Sequence, residues 1–210
     1  MLELECGHGL LWQENRDRIP QDWKIVVSDF SVRMFEEAQT NLKDIPHTFE
    51  FRIVDAQQIP YGDSSFDYGI ANNMLYHIPN LSLALSEIRR VLKTGGQCFA
   101  TTIGQNVVDM FARLMQAAQS EQSEPQDDGF KFTLTSGASL QANYFPQVTL
   151  ERLDRQVNIP DAGLLSAMLS SFTHMDAPSE HDDDAGSQKP LSFTFEYGLF
   201  IATSQANTNQ

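Results

Sequence analysis

The opening stretch Met1-Leu2-Glu3-Leu4-Glu5-Cys6-Gly7-His8-Gly9 carries a short apolar strand straight into a turn containing glycine. An acid, Asp29, follows about twenty positions later at the end of the next apolar run. Few folds accommodate that pair of features. The strand stops, the chain turns where side chains would obstruct, and a helix starts with its free N–H groups facing a ligand. An α/β domain is therefore expected, with a nucleotide-type pocket across the C-terminal ends of its strands.

The rest of the chain repeats that alternation, which argues for βαβ units and a mostly parallel sheet. Strands are expected over Met1–Glu5, Trp23–Ser28, His47–Val54, Phe66–Asn72 and Gln97–Ile103. A helix over Gly9–Arg18 separates the first two. Ser31 is placed to cap a second, whose face Met34, Ala38 and Leu42 recurs every fourth residue. Asn80 caps a third, with buried stripe Leu81, Leu85, Ile88, Val91 and Leu92, and Lys93, Gly95 and Gly96 read as its end. Beyond residue 103, Val107, Met110, Phe111, Leu114 and Ala118 keep helical spacing, and Ile159–Phe172 reads as another helix. Val148–Val157 and Leu191–Thr203 read as strands, and the acidic segment 174–190 as a mobile loop. The expectation is one domain over 1–210, with a ligand-binding half at 1–103 and a C-terminal half at 104–210.

Charge narrows the partners. With 28 acids against 14 bases the chain carries −14, and no basic cluster offers a nucleic acid a foothold. No apolar run approaches the ~20 residues of a membrane span. Cys6 and Cys98 fall in expected buried strands, which reads as reduced and cytoplasmic. Cys6 and His8 lack a second ligand pair at recognisable spacing, so no metal site is expected.

Four strand ends converge on the expected pocket: Glu5–Gly9, Asp29–Phe30, Asp55–Ala56 and Asn72–Asn73. A carboxylate at the second suits a ribose diol, with Phe30 against a base ring. Asp55 suits an exocyclic amine, with Ala56 leaving room for the ring. A dinucleotide turn wants a third glycine, but Trp12 stands there, which disfavours a nicotinamide dehydrogenase.

At this point the chain resembles the class I S-adenosylmethionine-dependent methyltransferases, in particular the type 11 domain of the quinone-biosynthesis-like branch. The resemblance rests on Leu2-Glu3-Leu4-Glu5-Cys6-Gly7-His8-Gly9, Ser28-Asp29-Phe30-Ser31 and Val54-Asp55-Ala56-Gln57-Gln58-Ile59-Pro60. Ser65-Phe66-Asp67, Asn72-Asn73-Met74-Leu75-Tyr76-His77 and Arg89-Arg90-Val91-Leu92-Lys93-Thr94-Gly95-Gly96 complete it, in order over roughly residues 1–103. It implies a Rossmann-like seven-stranded, mostly parallel sheet with an antiparallel C-terminal hairpin and helices on both faces. It also implies S-adenosylmethionine as cofactor and a small-molecule acceptor. Glu3, Gly7 and Gly9 would floor the methionine side of the pocket, with Glu5 beside them. Asp29 and Phe30 would serve the ribose and base, Asp55 and Ala56 the adenine. Asn72 would lie beneath the transferred methyl, with Tyr76 and His77 facing the acceptor and His77 named as base.

Two departures stand out. The family carries glycine where this chain has Glu5. Beside the cofactor's carboxylate, a glutamate that stayed inward would cost about 1–3 kcal/mol or more in affinity. Relatives also carry a helical segment before the first strand that closes over the cofactor. Its absence here implies either a truncated copy or a site covered by another chain or the acidic loop, and the apolar surface left open would invite pairing as a homodimer. These departures motivate a rival reading, a degenerate copy that binds cofactor weakly and serves as an interaction module.

Overall fold

The computed structural model describes residues 1–110, 131–159 and 191–204. Its strands are β1 (Leu2–Leu4), β2 (Ile25–Asp29), β3 (Phe49–Ile53), β4 (Phe66–Asn72), β5 (Leu92–Ile103), β6 (Gln147–Ile159) and β7 (Leu191–Thr203). They form one sheet in the order β3-β2-β1-β4-β5-β7-β6. The first five run parallel, and β7 lies antiparallel between β5 and β6. Strand order reverses between β1 and β4. This is the expected Rossmann-like seven-stranded sheet with an antiparallel closing pair.

Alternation along the strands assigns the two faces. Leu2 and Leu4 of β1, with Val26 of β2, join one core with Ala84, Leu85, Ile88 and Val91 of helix α3 (Leu81–Val91). Ile25 and Val27 point the other way, meeting Trp12 of α1 (Leu10–Glu14) and Leu42 of α2 (Val32–Leu42). Helices therefore cover both faces. Side-chain caps start two of them: the Ser31 hydroxyl accepts from Met34 N at 3.4 Å, and Asn80 Oδ1 from Leu83 N at 3.1 Å.

Several boundaries shift from the sequence expectation. β1 stops at Leu4 because Glu5 turns left-handed at φ 48°, so Cys6 sits half-buried in the turn and not in a strand. The first helix is a single short turn ending at Glu14, followed by a 3-10 turn at Arg16–Arg18. α3 ends at Val91, and Lys93–Gly96 belong to β5. There the pairing jumps from Phe66↔Leu92 to Tyr68↔Gln97, so what looked like a helix end is a bulge. Ile159 closes β6 instead of opening a helix. Residues 105–110 are helical. The remainder of that expected helix, the one after residue 159, and the acidic loop 174–190 lie outside the described residues. Among the described residues no helix is long and apolar enough to cross a membrane.

The short helix α4 (Gly137–Ala142), which the sequence pattern did not announce, buries Gln141 completely. Neither amide atom finds a hydrogen-bond partner among the described residues. Gln141→Met keeps the length and removes the stranded polar group. It should raise stability by about 1–3 kcal/mol, the penalty of an unsatisfied buried group, in chemical denaturation. A loss instead would mean that the amide is satisfied in solution.

Candidate functional site

The turn after β1 is wound by three residues of positive φ, Glu5 (48°), Gly7 (56°) and Gly9 (84°). The loop is tied to β2. Cys6 N donates to Ser28 O at 2.9 Å, and Gly7 N donates to Asp29 Oδ2 at 2.9 Å. The other Asp29 oxygen accepts from Ser31 N at 2.8 Å, so one carboxylate braces both strand ends. Asp29 is buried, and its carboxyl is held above the usual range, first by desolvation, against the pull of those N–H groups.

The two glycines differ in what surrounds them. A Cβ on Gly9 would lie 3.1 Å from Leu42 side-chain carbons, so this glycine lets α2 pack against the turn. A Cβ on Gly7 would meet nothing within 4 Å among the described residues. The turn therefore presents bare backbone to open space at the C-terminal edge of the sheet, where strand order reverses.

Glu3 lies beneath this turn. It is 2% exposed and points toward α1, where Trp12 Nε1 donates to its Oε2 at 2.5 Å. Burial pushes its carboxyl up to about 7, the indole N–H opposes the shift, and Asp29 adds to it. Asp55 accepts from Gln57 N at 2.8 Å, and Ala56 is buried behind it. Phe30 at the end of β2 is 64% exposed, and Leu10, Val32 and Ile53 at neighbouring element ends are also exposed.

Across the reversal point, Asn72 Oδ1 accepts from Thr101 Oγ1 at 3.2 Å. Asn73 adopts φ 51°, its N–H held by Thr101 O, and its Nδ2 donates to the Tyr197 hydroxyl at 3.3 Å. Tyr76 and His77 end a 3-10 turn, their rings edge-on with centroids 5.2 Å apart. Burial foremost, with Tyr197 and Glu5 nearby, pushes the Tyr76 phenol up to about 12, so it stays protonated.

The departure at Glu5 acquires a partner here. Its Oε2 lies 2.5 Å from His77 Nε2, joining the end of β1 to the connection after β4. Glu5 thus directs its carboxylate at His77. A non-glycine residue held left-handed costs about 1–3 kcal/mol. A pair this exposed, with His77 at 53%, returns about 0–1 kcal/mol. The contact does not compensate for the strain of making it.

The structure thus gathers Glu3, Glu5, Gly7, Gly9, Asp29, Phe30, Asp55, Ala56, Asn72, Tyr76 and His77 at the C-terminal ends of β1 to β4 and the turns that follow. Sequence reasoning missed Tyr197, which lies 124 residues from Asn73. Only the insertion of β7 beside β5 brings it near, and no local motif signals that.

A sheet of this order with a bare glycine turn at its reversal point defines the class I methyltransferase fold. Residues 2–100 match the family described as methyltransferase domain. A demethylmenaquinone methyltransferase of Desulfitobacterium hafniense (strain Y51) is 34% identical over 98 residues, 46% of this chain and 39% of that protein. A ubiquinone/menaquinone biosynthesis C-methyltransferase, UbiE, of Desulfotalea psychrophila is 28% identical over 93 residues, 43% of this chain and 37% of that protein. The matches thus span about two fifths of these curated relatives. A putative methyltransferase from Bacillus halodurans superposes with a TM-score of 0.66 at 19% identity, covering 98% of this chain and 92% of that one. Residues 2–100 thus resemble a methyltransferase domain, and the described residues have the class I methyltransferase fold.

Proposed function

We propose that this chain binds S-adenosylmethionine and transfers its methyl group to a small protic acceptor. The observation that carries the reading is Gly7: positive φ, an N–H held by Asp29, and open space where any side chain would stand. Such a turn fits a ligand that must touch main chain. Glu3, Gly7 and Gly9 would lie on the methionine side of the cofactor, Asp29 at the ribose, Phe30, Asp55 and Ala56 around adenine, and Asn72 nearest the sulfonium. When bound, the cofactor supplies a methyl group already activated by its positive sulfur. The protein's task is then to align an acceptor and keep water away. Tyr76, protonated and half-buried, suits a hydrogen bond to the acceptor, and His77 suits its proton. The names of the matched relatives point to a reduced quinone ring, so a soluble naphthohydroquinone is the first acceptor to try.

Isothermal titration with S-adenosylmethionine and its demethylated product tests the reading. Micromolar binding is expected. Because Glu5 is already paired to His77, Glu5→Gly should tighten binding by less than about tenfold, under 1.4 kcal/mol, and should unfold no earlier than the wild type. No binding by a folded protein, with recovery in Glu5→Gly, would favour the degenerate copy.

A further inference from the structure

We propose that Glu5 is a positioning residue for His77: it fixes the imidazole as the Nε2–H tautomer and leaves Nδ1 as the nitrogen that takes the acceptor's proton. The inference rests on the methyl-transfer reading above and adds to it the role of the residue that breaks the glycine motif. Glu5 and His77 are 72 residues apart in sequence, yet their side chains meet at 2.5 Å. An ionised carboxylate only accepts hydrogen bonds, so the nitrogen facing it carries the hydrogen, and a neutral ring then has its lone pair on the other nitrogen. The ring is confined further by Tyr76, edge-on at 5.2 Å, and by His77 N donating to Met74 O at 3.2 Å. Half of the histidine side chain remains exposed, enough for an acceptor to reach it. A left-handed glutamate is the kind of local strain that marks a functional contact.

The step balances. The acceptor atom bonds the methyl carbon, the carbon–sulfur pair stays on sulfur as a neutral thioether, and the acceptor's proton passes to His77 Nδ1. The imidazolium so formed is stabilised by the Glu5 carboxylate on its other side. Glu5 itself gains no proton.

Long-range proton–nitrogen NMR on nitrogen-15-labelled protein reads the tautomer directly, with His77→Gln assigning the signal. Wild type should show a protonated Nε2 and an unprotonated Nδ1. Glu5→Gln, whose amide oxygen still accepts, should retain that pattern. Glu5→Gly, in which glycine suits the left-handed backbone and folding is safe, should show tautomer-averaged nitrogens. A fixed Nε2–H in Glu5→Gly, or an averaged ring in wild type, would overturn the proposal whatever the acceptor proves to be. With naphthohydroquinone at saturating S-adenosylmethionine, Glu5→Gly should bind cofactor no more weakly than wild type but transfer about 100-fold more slowly, with Glu5→Gln between. Equal rates in Glu5→Gly and wild type would also overturn it. The expected tautomer pattern in a protein that binds no cofactor would instead sink the methyl-transfer reading and leave the Glu5–His77 geometry standing.

Discussion

Gly7→Ala is expected to weaken S-adenosylmethionine binding by about 100-fold, close to 3 kcal/mol, while leaving the fold in place. Among the described residues the added methyl would meet no atom within 4 Å, so the expected collision is with the ligand. Its cost to the free protein is only the left-handed backbone, about 1–2 kcal/mol. Gly9→Ala is the matched control. There the methyl would stand 3.1 Å from Leu42, so stability should fall further and binding should suffer through the fold. Thermal unfolding and isothermal titration on the two variants separate the cases. A Gly7→Ala protein that binds like wild type would place the ligand somewhere other than this turn.

The second large effect concerns Glu3. Its carboxyl ionises near 7 in the folded chain, against 4.5 for an ordinary glutamate, because it is buried. The folded state therefore holds a proton that the unfolded state has lost between those values. The stabilisation is fully present below about 4.5 and is lost as pH rises through about 7. A difference of 2.5 units, 7 less 4.5, corresponds to about 3 kcal/mol. Asp29, raised in the same direction, adds to the slope. Denaturation midpoints should fall between pH 5 and pH 8, and Glu3→Gln should flatten most of that fall, since its amide oxygen still accepts from Trp12. A slope unchanged by Glu3→Gln would mean that water reaches this carboxylate in solution.

Much of this was legible in the sequence, and the limits have physical causes. The strand–turn–acid pattern of residues 1–29 and the caps at Ser31 and Asn80 are set within a few residues, so local rules found them. Alternation named the faces of β1 and β2 but overran their ends, because it does not register backbone handedness at Glu5. Gly95 and Gly96 mimicked a helix stop, since a bulge and a helix end ask for the same residues. His77 was legible by family resemblance and as a titratable side chain, but not its partner: Glu5 and His77 meet only because β1 and β4 are neighbours. Tyr197 needed the same topological knowledge across β5 and β7.

That last strand has a consequence of its own. β5 accompanies β7 only from Thr203 to Tyr197, whereas β6 continues alongside it to Leu191. Among the described residues, β7 is thus flanked on both sides for one half and on one side for the other. The inner half shares the cooperative stability of the sheet, whereas the outer half is a two-stranded ribbon held to the segment after β5 by Gly104 N donating to Glu196 O and Asn106 Nδ2 donating to Thr194 O. Tyr197 stands at the join, with its hydroxyl on Asn73. The turn at Asn73 is thereby tied to the last residue of β7 that β5 pairs, so the closing strand helps to hold the C-terminal edge of the sheet.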